Sequence, residues 1–108
     1  MKKGEIWILN LPFSDGREQS GIRPGLVIGD TKVEMIITIP LTSNIQALKF
    51  PNTVEIKKSQ KNGLDKDSIA LMFQIQSLDR KRFVNKIGEL EDSKLKEVDG
   101  ILKKLLNF

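Results

Sequence analysis

"LVIGDTKVEMIITIPL", residues 26–41, sets the fold class. It holds two apolar runs, "LVIG" and "VEMIITIPL", on either side of "GDTK", whose Gly29-Asp30 pair supplies turn chemistry. Short runs rich in Val, Ile and Thr and bounded by turn residues read as strands. The segment predicts a tight antiparallel hairpin.

Upstream, "EIWILNL" (5–11) alternates, with Ile6 and Ile8 on one face and Trp7, Leu9 and Leu11 on the other. Both faces are apolar, which suits a strand in a strongly curved sheet. Between that strand and the hairpin, "FSDGREQSG" has the composition of a loop, longer than an ordinary hairpin connection. Downstream, "LTSNIQALKFPN" is polar and broken by Pro51. The short strand "TVEI", the turn-rich "KKSQKNGLDKD", the longest strand candidate "SIALMFQIQSL" and a further strand "FVNKIGEL" follow it. A short helical turn is expected near Arg80. From an N-cap at Asp92 or Ser93, Leu95, Val98, Ile101, Leu102, Leu105 and Leu106 recur at helical spacing, with Lys103 and Lys104 in the last turn. The sum is five or six strands with one C-terminal amphipathic helix, a mostly-β α+β chain built as a small curled antiparallel sheet or barrel.

At 108 residues the chain fits one domain, 1–108. No window approaches the roughly 20 apolar residues of a bilayer span. The basic N-terminal residues before "GEIWILNLPF" lack an uninterrupted apolar core and a cleavage site, so a cytoplasmic product is expected. Net charge is +4, with Lys57, Lys58 and Lys61 in one cluster and Arg80, Lys81, Arg82 and Lys86 in another. Either cluster could track a phosphate backbone or simply solvate a turn.

The sequence has no histidine and no cysteine, which excludes imidazole bases, serine triads and thiolate chemistry. Neither GxGxxG nor GxxxxGK[ST] occurs. Arg, Lys, Glu, Asp, Ser and Thr remain. They suit a reaction that brings its own nucleophile and needs charge stabilised at phosphorus, as RNA cleavage by its 2′-hydroxyl does.

Within "EQSGIRPGLVIG" (18–29), Pro24 restricts the backbone of Arg23 and fixes where its guanidinium leaves the chain. Pro24 also belongs at a strand's start or edge, which puts Arg23 at a rim. A guanidinium can contact two phosphate oxygens at once and is a steady cation. The plainer alternative is an Arg that pairs with Glu18, Asp15 or Asp30 and only holds the loop. Thr42 and Ser43 end the hairpin's second strand and could donate to a phosphate oxygen. The plainer reading there is an S-x-x-Q capping box from Ser43 to Gln46.

Taken together, "KKGEIWILNL", "GREQSGIRPGLVIG", "IPLTSNIQ", "TVEI", "GLDKDSIALMFQIQSLDRKR" and "KIGEL", in that order before a terminal helix, resemble the MazF/PemK toxins of bacterial toxin–antitoxin systems. The resemblance implies an SH3-like barrel of the plasmid-maintenance toxin type and a homodimer. It also implies a metal-independent, sequence-specific endoribonuclease for single-stranded RNA, leaving 2′,3′-cyclic phosphate and 5′-hydroxyl ends, with no cofactor. The family's catalytic Arg falls on Arg23, its Thr on Thr42, and the loop acid of some members on Glu18. In these roles Arg23 stabilises the phosphorane, Thr42 donates to a non-bridging oxygen, and Glu18 is a candidate proton acceptor. Gln19, Ser43, Gln74, Gln76 and Ser77 are candidate RNA contacts, although the last three also read as the polar face of a strand. An acidic antitoxin of the MazE type, folding onto the RNA groove, is the expected partner.

Three features depart from the family pattern. Gly25 stands where Val or Ala is usual, Phe73 stands where an acid commonly precedes the Gln of the long strand, and "GDTKVE" is a short connection. Two other functions fit the same barrel. One is a CcdB-like gyrase poison that would not need Arg23 or Thr42. The other is a non-catalytic RNA-binding barrel, weakened by a total of six aromatic residues.

Overall fold

The hairpin is present in a computed structural model that describes residues 1–12, 16 and 21–107. β2 (Gly21–Asp30) and β3 (Met35–Thr42) pair antiparallel, from Gly25 against Pro40 to Asp30 against Ile36. The turn comes later than Gly29-Asp30, over residues 31–34, with Lys32 and Glu34 both at φ 68°. Left-handed backbone is unfavourable for residues with a Cβ. Here side chains compensate: Asp30 accepts from the Lys32 N–H at 2.9 Å, and the Thr31 hydroxyl donates to the Met35 carbonyl at 2.8 Å.

β1 (Glu5–Leu11) pairs with β2 on one edge and with β7 (Phe83–Glu89) on the other. With β4 (Thr53–Ile56) and β5 (Ser68–Leu71), the strand order is β4-β5-β3-β2-β1-β7, and β6 (Gln76–Asp79) also pairs with β3. The seven-stranded antiparallel sheet is curled rather than closed, and the helix α1 (Asp92–Leu106) follows it. The turn expected near Arg80 is a 3₁₀ turn, Arg80–Arg82.

The long strand expected over 68–78 is two strands. A 3₁₀ turn, Met72–Gln74, separates β5 from β6. β5 meets β3 at Leu41 and Thr42, and β6 meets it at Met35 to Thr38. The break therefore lies level with Ile39 and Pro40, where proline has no N–H to offer a ladder. Alternating apolar residues gave no warning of it, because both halves keep a strand period.

β1 carries apolar groups on both faces because each meets its own core. Ile6 joins Leu26, Ile39, Leu41, Ile56 and Met72 beneath Val98 and Leu102 of α1. Leu9 and Leu11 join Val27, Ile36, Leu78 and Phe83, with Trp7 edge-on to Phe83 at 6.1 Å between centroids. Gly25 is explained by this second cluster: a Cβ there would stand 2.3 Å from Leu9 Cδ1 and 2.9 Å from Leu9 Cγ. Leu9 is fully buried, so it can make way only by repacking the cluster around it. Gly25→Val is therefore expected to lower stability by roughly 1–3 kcal/mol, the usual range for overpacking, and urea unfolding measures it.

α1 is anchored at its start by a buried polar knot. Glu91, not Asp92 or Ser93, is the N-cap, and its side chain caps nothing because its oxygens are already used. They accept from the Ser59 hydroxyl at 2.5 Å and from Asn62 Nδ2 at 3.2 Å. Burial pushes the Glu91 carboxyl up, but these hydrogen bonds outweigh it and hold it below its ordinary value. Asn62 is completely buried and uses every polar valence. Its Nδ2 also donates to the Lys57 carbonyl at 2.8 Å, while Oδ1 accepts from the Ser59 and Leu64 N–H groups at 3.0 and 3.1 Å. The loop so held lies directly on β7: a Cβ on Gly88 would stand 2.4 Å from the Lys61 carbonyl oxygen, and one on Gly63 would stand 1.9 Å from that of Ile87.

At the far end of β2, Asp30 accepts from Arg80 at 2.8 Å and meets the Met1 ammonium at 3.2 Å. The Arg80 hydrogen bond, helped by the Lys32 N–H, holds the Asp30 carboxyl well below the usual carboxylate range. A carboxyl depressed by folding contributes stability above its unfolded pKa, and that contribution is lost as pH falls towards its folded value. Asp30→Asn is thus expected to melt lower than the parent at pH 7, with the gap narrowing steadily below about pH 4. Parallel thermal melts across pH check this.

Candidate active site

Pro24 sits opposite Ile8 of β1, and the β2–β3 ladder begins one residue later, at Gly25. The proline thus occupies a stretch where no β3 partner calls for its missing N–H, and Arg23 stands at the rim as expected. The β2–β3 pairing stops at Gly25 and Pro40; beyond it Arg23 pairs with Leu9 of β1, and Thr42 pairs with Ile69 of β5. Successive side chains of a strand point to opposite faces. The end of β3 therefore divides the surface into two neighbouring grooves.

The first groove, about 370 Å³, is lined by Arg23 and Pro24 together with Ile8, Ser43, Asp65 and Lys66. The second, about 490 Å³, is lined by Thr42 with Asn44, Gln46, Phe50, Phe73 and Gln74. Arg23 and Ser43 thus come together, while Thr42 faces the adjoining space with Gln74. Gln76 and Ser77 line neither groove. They pair with Thr38 and Ile37 farther along β3, with Gln76 half-buried and Ser77 exposed. Glu18 and Gln19, like Asp15, lie outside the described residues.

Local geometry frees Ser43 from the capping role. Asn44 is the cap of the 3₁₀ turn Ile45–Lys49, and its side chain accepts from the Gln46 N–H at 3.0 Å. Thr42, 5% exposed, accepts from the Asn44 N–H at 3.2 Å, which fixes its hydroxyl oxygen and leaves the O–H available to donate. Of the acids considered as Arg23 partners, Asp30 is held by Arg80 at the other end of β2. Asp65 and Lys66, which the sequence reading missed, come from the turn-rich segment before β5, whose composition marks a loop but not where it folds. Among the described residues, no three His, Cys, Asp or Glu side chains gather in a way that could hold a metal ion. None of the described helices is long and apolar enough to cross a membrane.

Residues 2–106 match the family described as PemK-like, MazF-like toxin of type II toxin-antitoxin system. The chain belongs to this toxin family. It is 39% identical over 106 residues to the Endoribonuclease MazF of Staphylococcus saprophyticus, covering 94% of this chain and 88% of that protein. The crystal structure of MazF from Deinococcus radiodurans superposes with a TM-score of 0.79 at 27% identity, covering 98% of this chain and 94% of the other. A MazE-MazF crystal structure from the same organism gives 0.74 at 27% identity, covering 100% and 96%. The curled sheet with its terminal helix is thus the fold of the MazF structures. Membership in the family turns attention to the paired grooves at the end of β3, where Arg23 and Thr42 stand.

Proposed function

We propose that this toxin is an endoribonuclease that cuts single-stranded RNA across the ridge formed by the end of β3. The observation that carries the reading is the position of Arg23, backed by Pro24 and sharing a groove with Ser43 while Thr42, the preceding residue, lines the next groove, in a chain of this family. The RNA's own 2′-hydroxyl attacks the adjacent phosphorus, and the P–O5′ bond breaks. The products are a 2′,3′-cyclic phosphate and a 5′-hydroxyl, so the electrons balance without any redox partner. Arg23 stabilises the charge that grows on the phosphorane oxygens, and Thr42 donates to a non-bridging oxygen. Glu18 accepts the 2′-hydroxyl proton, the departing 5′-oxygen takes a proton from solvent, and Ser43 and Gln74 contact the strand. The chain supplies no histidine or cysteine, and the mechanism asks for neither them nor a metal.

The 39% identical relative is named as an endoribonuclease, and the MazE-MazF structure shows a related toxin with its antitoxin. By extension this chain forms a homodimer and is restrained by a small acidic antitoxin that covers the same cations RNA uses. Incubation with a long single-stranded RNA in EDTA tests the reading. Discrete cuts ending in cyclic phosphate are expected. Retention of intact RNA would instead indicate a non-catalytic binder, and neither binding nor cutting would favour a gyrase poison.

A further inference from the structure

The second groove carries a feature that the proposed chemistry does not use. Phe50 and Phe73 are 55% and 42% exposed, yet they contact each other with ring centroids 6.0 Å apart and planes at 66°. One ring braces the other, so the pair forms a rigid L-shaped corner open to solvent, flanked by the amides of Asn44, Gln46 and Gln74. Thr42 lies in the wall of the same groove. The six aromatic residues are few, but two of them converge here, in the groove lined by Thr42, whose neighbour Ser43 lines the cation-bearing one.

We propose that this corner is a nucleobase subsite, and that it selects a purine at one fixed position next to the scissile phosphate. The inference rests on the RNase reading above. A base has two apolar faces and a polar edge. The corner offers one ring to stack on, a second ring against the side, and side-chain amides at the rim. Among the described residues no charged side chain lines this groove, so none of them offers a phosphate or an acidic peptide a cation there. Where recognition is by stacking, preference follows the stacking area, and a purine covers more of the ring than a pyrimidine does. Phe73 has no group that could accept from a base edge, so its ring discriminates by size.

The test uses the full-length protein on RNA randomised around the cut site, with cut ends read by sequencing, for the parent, Phe73→Leu and Phe50→Leu. Both residues are exposed, and unchanged melting temperatures establish that the variants are folded. Parent cuts should show one purine-restricted position, and each Leu variant should lose that restriction by about tenfold, the scale of a single aromatic–base stack. A parallel titration with an uncleavable 2′-deoxy oligonucleotide should show weaker binding for both variants and a tighter fit for a purine at that position. Parent cleavage with no purine-restricted position, or with the same preference in both variants, overturns the subsite and leaves the RNase reading standing. A change from dimer to monomer in either variant by light scattering also overturns it, since the corner would then be a contact between copies. If the parent makes no cuts, the RNase reading falls and the subsite falls with it.

Discussion

Arg23→Lys is expected to bind substrate RNA nearly as well as the parent and to cut it on the order of 100-fold more slowly, or worse. Lysine preserves the charge but replaces a planar two-pronged donor with a compact cation on a flexible stem. If Arg23 holds two phosphorane oxygens at once, the loss appears in the chemical step and spares ground-state affinity. If Arg23 only tethers the loop before β2, lysine keeps much of the contact. Cleavage would then fall by a few-fold at most, and the melting temperature would fall instead. Single-turnover cleavage and thermal unfolding on one preparation separate the two, and near-normal cleavage by the lysine variant would sink the catalytic assignment. Asp30 offers no rescue for the tether explanation, because Arg80 and the Met1 ammonium occupy it.

The largest expected stability loss lies away from this site. Gly88→Ala pushes a methyl group into the Lys61 carbonyl and the backbone of Asn62, and neither can rotate away as a side chain would. The loop must lift off β7, which breaks the Glu89 N–H to Lys61 carbonyl bond and strains the four side-chain hydrogen bonds of Asn62. We expect a cost of about 3 kcal/mol or more, at the upper end for overpacking, and a melting temperature lower by more than about 10 °C. Gly29→Ala is the matched control: nothing lies within 4 Å of a Cβ there, and its melting temperature should stay close to the parent's. Equal melting of the two variants would mean that the loop does not need its close seat on β7.

The strands that pack on both faces were legible because their apolar residues repeat at a period of two, and α1 because Leu95, Val98 and Leu102 recur at helical spacing. The break at Met72–Gln74 was not legible, since it is imposed by β3 and Pro40 from across the sheet. The cap at Glu91 was missed for a similar reason. Its side chain is drawn off by Ser59 and Asn62, some thirty residues earlier in the chain. Within the site, Arg23 and Thr42 were readable because Pro24 and the strand end constrain them locally. Which face each side chain takes was not readable, nor was the arrival of Asp65, Lys66, Phe50 and Phe73, because those depend on how the curled sheet brings distant loops together. The basic run at 80–86 was the most misleading signal. Arg80 is bound by Asp30, and Lys86 lies 3.6 Å from Glu5 and 3.5 Å from Glu89.

That internal pairing governs how the protein should respond to ionic strength. The ions released on binding are those condensed on the RNA, and a cation already paired within its own chain neutralises fewer phosphates and so releases fewer of them. The eighteen Lys and Arg residues therefore overstate the number of RNA phosphates the surface can engage. Among the described residues Arg23 and Lys66 are the cations that line the first groove, and one phosphate engaged by each gives a plot of log affinity against log salt with a slope of about −1.4 for a single strand. A toxin with so shallow a dependence would hold RNA by fit rather than by field, and rising potassium would strip a merely basic protein from the same strand first.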